Sequence, residues 1–539
     1  MAMRRDISAL AAGSYDLVII GGGAYGVCAA WESALRGVKT ALLERGDFGA
    51  ATSANSLHTI HGGLRYLQHL DLRRMRESIA ERRRWMSLAP ELIEPMRFVL
   101  PTFGHGLRGR EIMAVALALN DLIGADRNRG LRGAHGLPRG GVLSREDAAK
   151  SFGKLSIGGF NGAALWYDAF NSSPERLLVA LLQAARSTGA QLANYVTVDG
   201  FLHRDAAICG VLATDTLSGK RLELPARCVL NAAGPWVDNV LDRLDPALPR
   251  STERLFQPSR AFNLIVRRLP FDAAIGIPVP RRGRAAGAVL DKGTVTYFIM
   301  PWGRYSLIGT KHLPCEGDAD GWRIGFREVS AFLEELNAVL GPWQLQPNDV
   351  VGIKAGLLPA QRASAGGEVL LQRHARIVDH ARDGLGGLIT MVGVKWTTSR
   401  LVAERAVQLV CRKLGRASVP AAHRLRVAGL EDPHGGGPHY ALEGVRAGTS
   451  GPLVEDLPVS VTDVEIAARD EMAVKLCDVV LRRTPLGLSA RLDGDVIASC
   501  AQVMQRELNW SPAQTERELG ALRQALTQRE AWRENAETA

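Results

Sequence analysis

The sequence predicts an α/β protein with a discontinuous doubly wound domain, a β-rich second domain and a small helical C-terminal domain. Three observations carry this. A strand, a glycine turn, a helix and a second strand occupy residues 15–43. Two later apolar strands, at 228–231 and 388–392, each run into a small-residue turn. From Val461 onward the apolar residues recur at helical spacing.

The first unit is the most specific. Residues 17–20, Leu-Val-Ile-Ile, suit a strand buried on both faces. Gly21, Gly23 and Gly26 then form G-x-G-x-x-G. Gly21 permits the turn, Gly23 lets backbone approach a pyrophosphate, and Gly26 lets helix pack on strand. Ala24 and Tyr25 open a helix to about residue 36, whose N-terminal N–H groups and dipole face the phosphates. Gly37 stands where a helix C′ glycine is expected. A strand over 38–43 ends at Glu44, 18 residues after Gly26, placed to accept hydrogen bonds from a ribose diol. Strand, helix and acid together identify a Rossmann-like dinucleotide unit rather than a stray glycine turn.

Further along, residues 71–85 carry Leu72, Met75, Ile79 and Trp85 among Arg and Glu, an amphipathic helix. Residues 113–123 read as an apolar helix and 130–141 as a Gly/Arg-rich loop. Residues 174–187 form a helix with Leu177, Leu178, Leu181 and Ala184 on one side. Strands are expected at 191–201 and 221–230, and a hairpin over 295–300 and 304–309. After the 388–392 strand, Thr397 and Thr398 are placed to cap a helix reaching about Lys413. Glu431 to His439 is a Gly/Pro/His connector. Helices follow over 466–482, 496–507 and 514–529, with a charged tail. No internal repeat is visible.

Composition sets bounds. The chain of 539 residues is 46% hydrophobic, enough for a large core. The net charge of +10 is mostly arginine. It fits a solvated basic surface, or attraction to anionic substrates or an anionic membrane. No nucleic-acid-binding module occurs, and no nucleic-acid partner is expected. Seven cysteines without C-x-x-C suit reduced, buried thiols and no metal site. The start lacks the apolar run of a signal peptide, and no window is long enough to span a bilayer. A cytoplasmic location is expected, with contact to the inner face of the membrane left open.

Several segments resemble the FAD-dependent glycerol-3-phosphate dehydrogenase family, within the D-amino-acid-oxidase-like flavoproteins. The most specific runs from Thr52 to Leu67, including His61-Gly62-Gly63-Leu64-Arg65-Tyr66. Others are Asn231 to Trp236, Met300-Pro301-Trp302, Leu307 to Thr310, and Gly393-Val394-Lys395-Trp396-Thr397. The helical end also matches, at Ala468 to Met472 and Leu481 to Gly487.

The resemblance implies a Rossmann-like FAD-binding domain from 14–100, 160–245 and 351–415, and a substrate-binding domain from 101–159 and 246–350. A linker would cover 416–460 and the helical domain 461–539. It implies oxidation of a secondary alcohol by hydride transfer to flavin, with sn-glycerol 3-phosphate as substrate and a quinone as acceptor. The cofactor would be FAD, contacted by Gly21, Gly23, Ala24, Tyr25, Gly26, Glu44, Arg45, Thr52, Ser53, Ile60, Gly62, Val196, Ala232, Gly234, Gly393, Lys395, Trp396 and Thr397.

For catalysis the resemblance points to Arg65 and Tyr66 at the substrate, Lys395 at the flavin or substrate oxygen, Thr310 at the substrate, and His61 as a candidate base. Arg65 can also be a solvated loop residue and Lys395 a lysine at a helix N-terminus, where a cation is unfavourable. Arg400 reads as structural. Three departures bear on the substrate. Leu358 stands where the family's phosphate-binding arginine is expected. Ser259-Arg260-Ala261-Phe262-Asn263 lacks the family's histidine, and Gly309-Thr310-Lys311-His312 is altered. A leucine offers no fork to a phosphate. Arg260 or Lys311 can replace the lost cation, or the substrate is a different hydroxylated or amino compound.

Overall fold

A computed structural model of the chain describes residues 2–536 except 107–108, 132, 281–293, 316, 362–368, 418–451, 456 and 490–491. Most of the expected linker, including the Gly/Pro/His connector, lies outside the described residues.

The strand Tyr15–Ile20 pairs in parallel with Thr40–Leu43 on one side and Arg221–Asn231 on the other. Gln191–Ala193 extends the sheet beyond Thr40–Leu43, and Leu388–Val392 extends it beyond Arg221–Asn231. Arg376–Asp379 closes that edge antiparallel. The helix Ala24–Leu35 covers one face, packed between Pro174–Ser187 and Ser399–Lys413. This double coverage explains the unbroken apolar runs of the central strands. The glycine turn works as expected. Gly21 has φ +106°, and a Cβ on Gly26 would sit 1.9 Å from the Gly21 carbonyl oxygen. An antiparallel pair, Val196–Arg204 and Ala207–Asp215, continues from Arg221–Asn231 over the other face.

A second sheet has nine strands. Val350–Ala360, Gln257–Arg267, Tyr305–Pro314 and Thr294–Trp302 follow one another antiparallel, and the last two form the expected hairpin. Ala274–Pro280, Ile93–Phe103, Phe160–Asn171 and Thr59–Ile60 complete the main path. Four strands that fall wholly or mostly within the segments assigned above to the FAD-binding domain, at 59–60, 93–103, 160–171 and 350–360, pair here. The helix Phe326–Leu340 buries Val329, Phe332 and Leu336 against this sheet.

Two expectations are corrected. The single strand over 191–201 is two strands, broken at Tyr195, which has φ +57°. Tyr195 turns there because its hydroxyl donates to Asp478 at 2.5 Å, across to the C-terminal helices. The single helix over 466–482 is also broken. Val461–Asp470 ends at Glu471 and Met472, and Leu476–Asp478 resumes into a π-turn, Val479–Arg483. Long-range bonds hold the break: Arg176 donates to Glu471 at 2.6 Å, and Met3 N to the Asp470 carbonyl. Gly494–Leu508 and Pro512–Glu530 complete the helical part around Leu476, Val480, Cys500 and Met504.

The described cysteines are free thiols. No helix among the described residues is long and apolar enough to cross a membrane.

Candidate active site

A cavity of about 1490 Å³ lies between the two sheets. It exceeds the roughly 300–1,000 Å³ typical of small-ligand pockets, so a dinucleotide and a second molecule fit together. One end is built by the first βαβ unit. Gly21, Gly23, Ala24 and Tyr25 line it, with Glu44, Arg45 and Val196. The Ala24–Leu35 helix has no side-chain cap from its Gly23 N-cap. Ser53 Oγ instead accepts from Ala24 N at 2.9 Å. Glu44 is fixed at the strand end, accepting from Gly22 N at 2.6 Å and Gly46 N at 2.8 Å. Burial pushes its carboxyl up, and those two bonds oppose the shift. Arg45 lies over the Trp236 ring at 4.1 Å.

The middle of the cavity joins chain segments far apart in sequence. Tyr25 OH donates to the Lys395 carbonyl at 2.8 Å and accepts from Val394 N at 3.1 Å, which locks the turn after Gly393. Trp396 Nε1 donates to Ser53 O at 2.8 Å. Thr52 Oγ1 donates to Leu357 O at 3.0 Å, tying this loop to the second sheet. Ala232, Gly234, Gly393, Trp396 and Thr397 also line the cavity. Thr398 stands at the N-cap of the following helix, but its side chain makes no capping hydrogen bond. The short 3-10 turn Trp396–Thr398 intervenes, and Thr397 Oγ1 accepts from His61 N at 3.3 Å.

The far end gathers positive charge. Lys395 Nζ donates to Tyr66 OH at 2.9 Å and to Ser78 Oγ at 2.8 Å. Burial, and then the Arg74 charge, lower Lys395 to about 7. Arg74 lies over the Tyr66 ring at 4.2 Å. Burial pushes the Tyr66 hydroxyl up. His61 meets the Tyr66 ring edge-on at 5.7 Å. Burial and the charges of Lys395, Arg74, Arg82 and Arg65 hold His61 well below its usual range, so it is neutral at pH 7. His312 is lowered to about 4 by burial and by Arg65 and Lys311, and its Nδ1 is buried without a hydrogen bond. Arg65 and Thr310 line this end, and Thr310 Oγ1 donates to Asn263 Oδ1 at 2.7 Å.

Four expected site residues do not line the cavity. Arg260 is turned away. It donates to the Pro314 and Arg323 carbonyls and pairs with Glu328 at 2.7 Å. Strand alternation explains this: Ala261 and Asn263 face the cavity, so Arg260 points to the opposite face. Gly26, Ile60 and Gly62 shape the wall from behind. Ile60 is buried, and Gly62 N donates to Asp168 Oδ1 at 2.5 Å. Lys311 does line the cavity, but its ammonium is held by both Glu335 oxygens at 2.6 and 2.7 Å. Leu358 also lines it.

Sequence reasoning missed Arg74, Ser78 and Asp168. Arg74 and Ser78 are four residues apart on the Leu72–Leu88 helix, one helical turn, so they share a face. That face flanks the apolar stripe and reads as solvated until the 61–66 loop covers it. Arg400 is structural: Glu81 accepts from its Nε and Nη2, both at 2.8 Å, in the interior.

The residues present fit FAD. The uncapped helix start, the glycine approach and the fixed Glu44 suit a pyrophosphate and ribose. A Cβ on Gly23 would lie 3.0 Å from Ser53 Oγ, in the space such a group needs. Comparison with known proteins agrees. Residues 16–409 match the family described as FAD dependent oxidoreductase (DAO), and 439–515 match the C-terminal domain of alpha-glycerophosphate oxidase. A glycerol-3-phosphate dehydrogenase of a Synechocystis strain is 30% identical over 94% of this chain and 95% of its own. The mitochondrial glycerol-3-phosphate dehydrogenase of Bos taurus is 28% identical over 95% of this chain and 73% of its own. The fold resembles the glycerol-3-phosphate dehydrogenase from Bacillus halodurans complexed with FAD, with TM-score 0.70, 19% identity and 96% of each chain covered. The motifs, the two-sheet architecture and these matches converge: the chain belongs to the FAD-dependent glycerol-3-phosphate dehydrogenase family.

Proposed function

We propose that this protein oxidises sn-glycerol 3-phosphate to dihydroxyacetone phosphate and passes the electrons to a quinone. The observation that carries the reading is the set of cations Arg65, Arg74 and Lys395 at the end of the cavity opposite the nucleotide cradle. A phosphate ester carries the negative charge that such a set of cations attracts. Arg65 and Arg74 hold the phosphate by charge-assisted hydrogen bonds. An anion beside Lys395 returns its proton, because an opposite charge favours the charged form. Lys395 then orients the substrate oxygen, steadied by Tyr66 and Ser78. His61, neutral at pH 7, takes the hydroxyl proton as the alcohol carbon becomes a carbonyl. FAD, when bound, supplies the two-electron acceptor for that carbon.

A second reading is a different hydroxylated substrate. It rests on Leu358, on the Lys311–Glu335 pair and on the outward Arg260, none of which offers a free cation. Anaerobic reduction of the bound flavin separates the two. Rapid bleaching by sub-millimolar glycerol 3-phosphate, with none by glycerol, supports the first; bleaching only by an unphosphorylated hydroxy compound overturns it.

Exposed apolar residues support this acceptor and a location at the membrane. Six of the eight exposed large apolar residues among those described fall in two short stretches: Leu70 and Leu72, then Ile112, Val115, Leu119 and Leu122. Leu122 is 72% exposed and Leu70 81%. Exposed Arg73 and Arg76 follow the first stretch and exposed Arg129 follows the second. Apolar residues rimmed by arginine fit an anionic membrane face. Ile112, Met113 and Ala116 of the Arg110–Ile123 helix also line the cavity, which gives a lipophilic acceptor an apolar approach. Co-sedimentation with anionic vesicles tests this: Leu122→Glu should release the protein while leaving turnover with a soluble dye acceptor intact.

A further inference from the structure

We infer that the C-terminal helical segment clamps the adenosine end of the cofactor site, with Arg483 as a positioning residue acting through the turn that carries Glu44. The inference rests on the reading above that FAD binds with its adenosine ribose at Glu44.

Asp47 lies three residues beyond Glu44, and its side chain is fully buried. Arg483 grips it with both prongs, Nη1 to Oδ2 at 2.7 Å and Nη2 to Oδ1 at 2.8 Å. Arg482 Nε adds a third bond to Oδ2 at 2.5 Å. Burial alone would raise the Asp47 carboxyl, but the Arg483 and Arg482 charges outweigh it and hold it well below the usual carboxylate range. These contacts span more than four hundred residues of sequence.

The neighbouring loop is tied to the same place. Asn194 Nδ2 donates to Asp47 Oδ1 at 3.2 Å and to the Met472 carbonyl at 3.0 Å. Tyr195 OH donates to Asp478 Oδ1, which also accepts from Arg482 Nη2 at 2.5 Å. Lys475 Nζ stands 4.2 Å over the Tyr195 ring. The two loops are in turn laced together: Glu44 N donates to Ala193 O, Val196 N to Glu44 O, and Tyr195 N to Gly46 O. Glu44, Arg45, Gly46 and Val196 line the cavity, whereas Asp47, Asp478, Arg482 and Arg483 stand behind it.

The chemistry of this cluster favours positioning over bulk stability. Two guanidinium groups and two carboxylates close on one another in the interior. Such clusters contribute little net stability relative to apolar packing, because desolvation offsets their attraction. What the forked Arg483–Asp47 pair does supply is a fixed geometry. That geometry sets where the Glu44 carboxylate meets a ribose. Linkage then requires reciprocity: FAD must hold the helical segment closed as much as the segment holds FAD.

Two measurements on the full chain test this. The first is hydrogen exchange on the unmodified protein with and without FAD. Slower exchange in residues 476–489, none of which lines the cavity, is expected on adding FAD; an unchanged rate there overturns the clamp. The second is titration of apoprotein with FAD, and with ADP as a probe of the non-flavin half. Arg483→Met should weaken both by about tenfold, within the usual range for coupled sites, with the KM for substrate unchanged at saturating FAD. Equal affinity in the folded variant overturns the proposal. If Arg483→Met does not fold, Arg483→Lys keeps the charge and loses the fork; it should still weaken FAD, and wild-type affinity overturns the clamp. An unmodified protein that binds no FAD would instead refute the cofactor reading itself.

Discussion

Replacing Lys395 with methionine should stabilise the cofactor-free protein at pH 6 and destabilise it near pH 10. The ammonium sits in a partly closed, positively charged pocket, and its value falls from 10.5 to about 7. Each unit of that shift corresponds to about 1.36 kcal/mol. Below pH 7 lysine is protonated in both the folded and unfolded chain, so the whole cost, up to about 5 kcal/mol, is present. Between pH 7 and 10.5 the unfolded chain binds the proton and the folded one does not. Stability therefore rises with pH across that window. The bonds from Lys395 to Tyr66 and Ser78 return about 2 kcal/mol. The methionine variant should thus gain about 3 kcal/mol at pH 6 and lose about 1 near pH 10. Thermal melts followed by tryptophan fluorescence from pH 6 to 10 read this as two curves that cross. Parallel curves would refute the burial argument. The same variant should retain FAD but lose about 10²-fold in the rate of flavin reduction, as expected when a site donor is removed.

Three other substitutions probe the remaining parts of the cavity. Gly23→Val places its Cβ 3.0 Å from Ser53 Oγ and its methyl groups toward the phosphate space, so the purified protein should be colourless; full flavin content would exclude the assigned cradle. Arg65→Met removes a charged hydrogen-bond donor from the anion end, a loss of about 1.5–3 kcal/mol. The KM for glycerol 3-phosphate should rise by at least tenfold with flavin content unchanged, and an unaltered KM would place the phosphate elsewhere. Leu358→Arg adds a fork to the cavity wall and should lower that KM; a rise would mean that Leu358 packs against the substrate rather than standing in for a missing cation.

How far the sequence alone reached follows from the range of the interactions involved. The nucleotide end was legible because its parts are local. Gly21, Gly23, Gly26 and Glu44 lie within 24 residues, and their spacing follows from the geometry of one strand, one turn and one helix. The hairpin strands and the helix Pro174–Ser187 were legible for the same reason, from periodicity within a single element. The 61–66 and 393–397 segments were visible only as motifs resembling a family; nothing local says that Lys395 reaches Tyr66 and Ser78.

Tertiary structure decided the rest. Arg260 and Lys311 look equally available in the sequence, yet strand alternation turns one outward and Glu335 neutralises the other. Arg74 became part of the site because the preceding 61–66 loop folds back over its helix and Lys395 reaches the same place from more than three hundred residues away. The breaks at Tyr195 and at Glu471–Met472 contradict local propensity, since side chains hundreds of residues away hold the backbone there. Periodicity reports which face of an element is apolar. Which charge meets which, and therefore which residue is free to meet a substrate, depends on packing between elements that no local pattern encodes.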